Sequence, residues 1–154
     1  MNVRSAVAVA AVFGSVAAVG AWTTSRPAEK ASTAQGMKWS TTLESMNGSK
    51  IKGTATLAAG SAAGTSVATV SITGGKANTT YPWHVHVGKC PTGTVFGPPS
   101  AYKPVAAGAD GAGTSTANLT VAVPASGDYH LNIHASETDM KTIVACGNFT
   151  MAGM

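Results

Sequence analysis

Two stretches decide how this chain is read: Tyr81-Pro82-Trp83-His84-Val85-His86-Val87-Gly88-Lys89-Cys90, and downstream Tyr129-His130-Leu131-Asn132-Ile133-His134. Each alternates apolar and polar residues, the period of a half-buried β-strand. In the first, Trp83, Val85 and Val87 share one face and leave His84 and His86 on the other. In the second, Tyr129, Leu131 and Ile133 share a face, with His130 and His134 opposite. All four histidines of the chain thus fall on the polar faces of two strands. Imidazole is the commonest protein ligand for copper and zinc. A His-x-His pair on a strand starts about 7 Å apart at the backbone, near enough to converge on one ion. The pattern points to a metal site.

The same period extends outward from these stretches. From Met37 onward, short alternating segments rich in Thr and Val are separated by Gly, Asn and Ser, which predicts strands over 38–46, 50–58, 65–73, 80–87, 114–123, 128–135 and 143–151. Asn47-Gly48 between the first two is a hairpin signal. No segment carries the 3.6-residue period of an amphipathic helix. The expected fold is all-β, an antiparallel sandwich or flattened barrel. Pro91 to Gly113 interrupts the regular spacing with four prolines and a run of glycines, and a loop of that length leaving a histidine-bearing strand is a functional candidate. The Asn-x-Ser/Thr sequons at Asn47, Asn78, Asn118 and Asn148 are read as chance products of a Thr-rich chain.

Residues 1–21 read as a secretory signal peptide: Arg4 precedes an uncharged run that ends in small residues. Residues 22–36, rich in Ser, Thr, Ala and Pro, read as a flexible spacer. Residues 37–154 then form one domain with a single core. No second apolar segment follows the signal, so no stable membrane span is expected after cleavage. The expected location is extracytoplasmic, whether periplasm, cell surface or medium. The formal net charge of +4 in 154 residues comes from scattered lysines with no basic cluster, which argues against nucleic-acid binding. Cys90 and Cys146 are the only cysteines, and in an exported chain a disulfide is the natural reading, with a thiolate metal pair as the rival.

Taken in order, His84-Val85-His86, Gly88, Cys90, Gly97-Pro98, His134-Ala135 and Ala145-Cys146-Gly147 resemble the copper/zinc superoxide dismutases. The resemblance runs from about Lys38 to Met151. It implies that family's Greek-key β-barrel, copper ligation by His84, His86 and His134, and a Cys90–Cys146 bridge from loop to strand. Three departures bear on chemistry. Where the family places a metal-bridging histidine after Gly-Pro, Pro99 stands here. The loop has no histidine and only Asp110 as an acid, so one copper ion is expected and zinc is not. The position of the family's superoxide-guiding arginine is Ile143, with Lys141 the nearest cation.

These losses favour binding over turnover. Three neutral imidazoles suit trigonal Cu(I) and leave an open position on Cu(II). The leading reading is an exported, superoxide dismutase-like copper-binding protein that buffers or carries copper. Its rivals are a copper-only superoxide dismutase, with superoxide as substrate, and a metal-free extracellular interaction domain of the same fold. His130, about 13 Å along the strand from His134, is read as a surface histidine outside the site. Met140 and Met151 are read as packing residues rather than thioether ligands. No serine is grouped with a histidine in a nucleophile-bearing turn, which argues against a hydrolase.

Overall fold

The computed structural model describes residues 36–152, so the expected signal peptide and nearly all of the expected spacer lie outside the described residues. Eleven strands follow in order: β1 (Lys38–Ser45), β2 (Lys52–Ala59), β3 (Ser66–Thr73), β4 (Thr80–Tyr81), β5 (Trp83–Val87), β6 (Thr94–Val95), β7 (Val105–Ala106), β8 (Gly113–Leu119), β9 (Tyr129–Ser136), β10 (Asp139–Asn148) and β11 (Thr150–Met151). A single 3₁₀ turn, Pro99–Ala101, lies between β6 and β7, and the described residues hold no α-helix. The expected all-β class is what the chain adopts. Every expected strand is present. The loop adds the short strands β6 and β7, and the predicted strands over 80–87 and 143–151 are each interrupted by one residue, at Pro82 and at Phe149.

One curled antiparallel sheet carries the strands in the order β6-β5-β9-β10-β1-β2-β3-β8, with β11 continuing beside β1. The non-sequential neighbours β5–β9, β10–β1 and β3–β8 are the crossovers of a Greek-key arrangement rather than a simple meander. A small second sheet pairs β4 with β7, Thr80 opposite Ala106 and Tyr81 opposite Val105. Asn47 and Gly48 both have positive φ, 52° and 76°, the backbone that an Asn-Gly turn between β1 and β2 supplies without steric penalty.

The alternation separates two faces. Inward go Ala68, Val70 and Ile72 of β3, Leu43 of β1, Leu57 of β2, Ala117 and Leu119 of β8, and Leu131 and Ile133 of β9, all essentially inaccessible. Each large member of this set contributes roughly 1.5–3 kcal/mol by leaving water. Outward, threonines and a serine of neighbouring strands bond across the sheet, Thr69 to Thr116 at 3.2 Å and Ser71 to Thr114 at 2.9 Å. Trp83 is the keystone at the site end of the core. Its ring is 1% exposed, its indole N–H donates to the Lys103 carbonyl at 2.6 Å, and Tyr102 packs edge-on against it at 5.0 Å. That pair fastens the returning half of the 88–112 loop to β5.

β9 departs from simple alternation, because both of its faces are buried from His130 through His134. One face lies on the core. The other is covered by the loop that leaves β5 at Gly88. The Cys90–Cys146 disulfide ties that loop to β10, with the two Cα atoms 6.0 Å apart, and no free cysteine remains among the described residues. The Asn148 side-chain carbonyl adds a second tie by accepting from the Cys90 amide at 2.8 Å.

Candidate metal centre

β5 and β9 are direct neighbours, with Trp83 opposite Ile133, His84 opposite Asn132 and His86 opposite His130. This register places His84, His86, His130, Asn132 and His134 on one face of a two-stranded ribbon. It follows from the packing of Trp83, Val85, Leu131 and Ile133 into the core, since a one-residue slip would turn all of them outward. His134 sits diagonally from His84, opposite Pro82, whose carbonyl accepts from the His134 amide at 2.8 Å.

Three of the five converge. One ring nitrogen from each of His84, His86 and His134 lies within 4.8 Å of the other two, a spacing able to hold one metal ion. Backbone carbonyls define which nitrogens these are. The His86 Nδ1–H donates to Gly93 O at 3.1 Å, and the His134 Nδ1–H donates to Met140 O at 2.7 Å. Both rings therefore carry their proton on Nδ1 and present a bare Nε2. Such outer bonds fix ring orientation and raise ligand basicity in metal sites. The β9–β10 pairing shifts register twice around Ile143, and this irregularity turns the Met140 carbonyl toward His134.

His84 presents its other nitrogen, with Nδ1 3.3 Å from His134 Nε2. Two nitrogens bound to one ion at about 2.0 Å in a trigonal plane would stand about 3.5 Å apart. The observed spacing nearly matches that arrangement, with one shared proton where a cation would sit. Metal uptake therefore requires His84 to move its proton from Nδ1 to Nε2. His86 Nε2 is buried with no hydrogen-bond partner, and leaving such an atom unpaired costs roughly 1–3 kcal/mol. A cation at the centre of the three rings would satisfy it. The donor set thus fits a metal ion on an orphaned buried atom as well as on spacing.

The electrostatics agree. Burial, reinforced by the neighbouring His134 and His86 rings, pushes the His84 imidazole down from 6.5 to about 4. Burial also lowers His86, against the opposing hydrogen bond to Gly93, and lowers His134, against the bond to Met140. All three are neutral at pH 7, the form in which imidazole ligates. Among the described residues no carboxylate joins the cluster. Tyr102 walls one side with its ring 5.1 Å from His84, while its hydroxyl donates to Phe96 O at 2.6 Å.

His130 corrects the sequence reading. It is 0% exposed, not a surface residue, because the 88–98 loop folds over the strand face that a lone hairpin would leave in water. It still lies outside the converging trio: its ring stacks nearly parallel on His86, centroids 5.1 Å apart at 16°. Lone pairs lie in ring planes, so parallel rings do not aim at a common ion. Sequence reasoning also missed Asn132, 1% exposed, whose side-chain N–H donates to Pro91 O at 2.8 Å. Alternation alone would have put Asn132 on the histidine face, midway between His130 and His134. Ile143 sits opposite His134 with 9% exposure and offers no charge there.

The described residues contain no helix long and apolar enough to cross a membrane. No protein-family model matches the chain, and no curated protein matches it significantly. The functional reading therefore rests on the site itself: three neutral imidazoles, two of them held by backbone carbonyls, gathered around one point beneath a disulfide-tethered loop.

Proposed function

We propose that this protein is an exported, superoxide dismutase-like copper-binding protein that buffers or carries one copper ion through His84, His86 and His134. The observation that carries this reading is the buried, partnerless Nε2 of His86, facing ring nitrogens of His84 and His134 within 4.8 Å. The affinity order of divalent ions at nitrogen sites favours copper over zinc, and three imidazoles without a carboxylate or thiolate suit Cu(I). A disulfide in a two-cysteine chain fits an oxidising compartment.

Copper bound here would supply one-electron redox chemistry, so superoxide dismutation is the second reading. One observation favours it: His84 is only part-buried, which leaves an approach to the centre from solvent. The chain's own residues do little to promote turnover from there. Ile143 brings no cation to the centre, Lys141 is exposed, and Pro99 opens the 3₁₀ turn instead of presenting a ligand.

One preparation tests both readings. Purified protein should take up one copper and no stoichiometric zinc when the two compete, and should scavenge superoxide far below the diffusional ceiling of about 10⁸–10⁹ M⁻¹s⁻¹. His84→Ala, His86→Ala and His134→Ala should each weaken copper binding at least tenfold. A rate near the ceiling would replace the carrier reading with the enzyme. Failure to bind copper would leave the metal-free interaction domain.

A further inference from the structure

The copper reading uses three of the four histidines, and the fourth is the most completely buried of them. His130 is 0% exposed against 5% for His134 and 8% for His86. Two contacts hold it: its Nδ1–H donates to Gly88 O at 2.9 Å, and its face lies on His86. Its Cε1 edge borders the space beside Gly93. A side chain at Gly93 would approach that edge at 3.2 Å and would also collide with the Val87 carbonyl, so only glycine lets the loop lie this close. Gly93 in turn supplies the carbonyl that fixes the proton of His86.

His130 therefore touches both things that aim His86: the ring itself and the strip of loop that orients it. Resting on the copper reading, we propose that His130 is a positioning residue of the metal centre, holding the plane of the His86 ring and so the direction of Nε2. Its own Nε2 is bare, because Nδ1 carries the proton, and it is buried without a partner. A residue serving only to fill this space would do as well with an aliphatic side chain. What a rigid ring adds is a flat face for His86. Partners of this outer kind typically change metal affinity by about 10–100-fold when altered.

The test compares two fillers of similar bulk. His130→Phe keeps a flat ring against His86, whereas His130→Leu keeps the volume but not the plane. For each, copper affinity is measured by competition with a chromophoric chelator, the Cu(II) electron paramagnetic resonance spectrum is recorded, and apo-protein melting temperature reports on folding. The expected result is a loss of about tenfold or more for His130→Leu, with an altered or heterogeneous Cu(II) spectrum. His130→Phe should stay within about threefold of wild type and keep its spectrum, rescuing the site that His130→Leu disturbs. A folded His130→Leu with wild-type affinity and spectrum would overturn the positioning role while leaving the copper site intact. A wild-type protein that binds no copper would defeat the copper reading itself, and this role with it.

Discussion

Removing the Cys90–Cys146 bridge by the double substitution Cys90→Ala/Cys146→Ala probes the fold and the site together. The bridge spans 56 residues. In the chain-entropy model, closing a loop of that length removes about 14 cal/mol/K from the unfolded ensemble, or about 4 kcal/mol at 25 °C. Spread over a domain of this size, the loss corresponds to a fall in melting temperature of roughly 15 °C. The site should suffer as well. The tethered segment supplies Gly88, Pro91 and Gly93 carbonyls to His130, Asn132 and His86, and those bonds hold the covered histidine face in place. Copper affinity should drop by about tenfold or more, the usual consequence of loosening outer partners. Urea denaturation of the oxidised wild type and the double variant, both metal-free, gives the first number, and chelator competition gives the second. A stability difference under about 1 kcal/mol would refute the loop-entropy reasoning. A large stability loss with unchanged copper affinity would refute the claim that the loop aims the ligands.

Three further outcomes follow from the same geometry. Metal-free stability should fall as pH drops from 7 toward 4: the unfolded histidines take up protons near 6.5 while folded His84 resists to about 4, so the unfolded state binds more protons in that window. For part-buried His84 the loss is about 1–2 kcal/mol after allowance for solvent screening, and denaturant titrations at pH 7 and 4.5 measure it; a rise in stability toward acid would contradict the lowered values. Trp83→Ala should destabilise by about 3–5 kcal/mol, read by denaturation, since it empties the packing against Tyr102 and leaves the Lys103 carbonyl only its Ser115 bond. Free copper held at about 100 times its dissociation constant should stabilise the fold by about 2.7 kcal/mol in a thermal scan, and at the same copper concentration His86→Ala should lose about half of that gain or more.

The strands were legible because their signal is local. A period of two over 80–87 and 128–135 fixes which side chains oppose which, and the apolar set Trp83, Val85, Leu131 and Ile133 then sets the register. Once those two segments lie side by side, the joint placement of His84, His86 and His134 follows, as does the prospect of a shared ion. Burial of the far face of β9 was not legible. Alternation says that a face is polar, not whether solvent or another segment lies over it, and on that ground His130 reads as exposed. The cover comes from a loop with no period of its own, positioned by a disulfide 56 residues long and by the Trp83–Tyr102 contact. The same loop and the β9–β10 irregularity supply the carbonyls of Gly93 and Met140 that choose the tautomers of His86 and His134. Sequence by itself determined which three histidines could gather and the sheet that carries them. Tertiary structure alone decided their burial, protonation and aim, because these depend on backbone groups brought close in space by contacts that no neighbouring residue encodes.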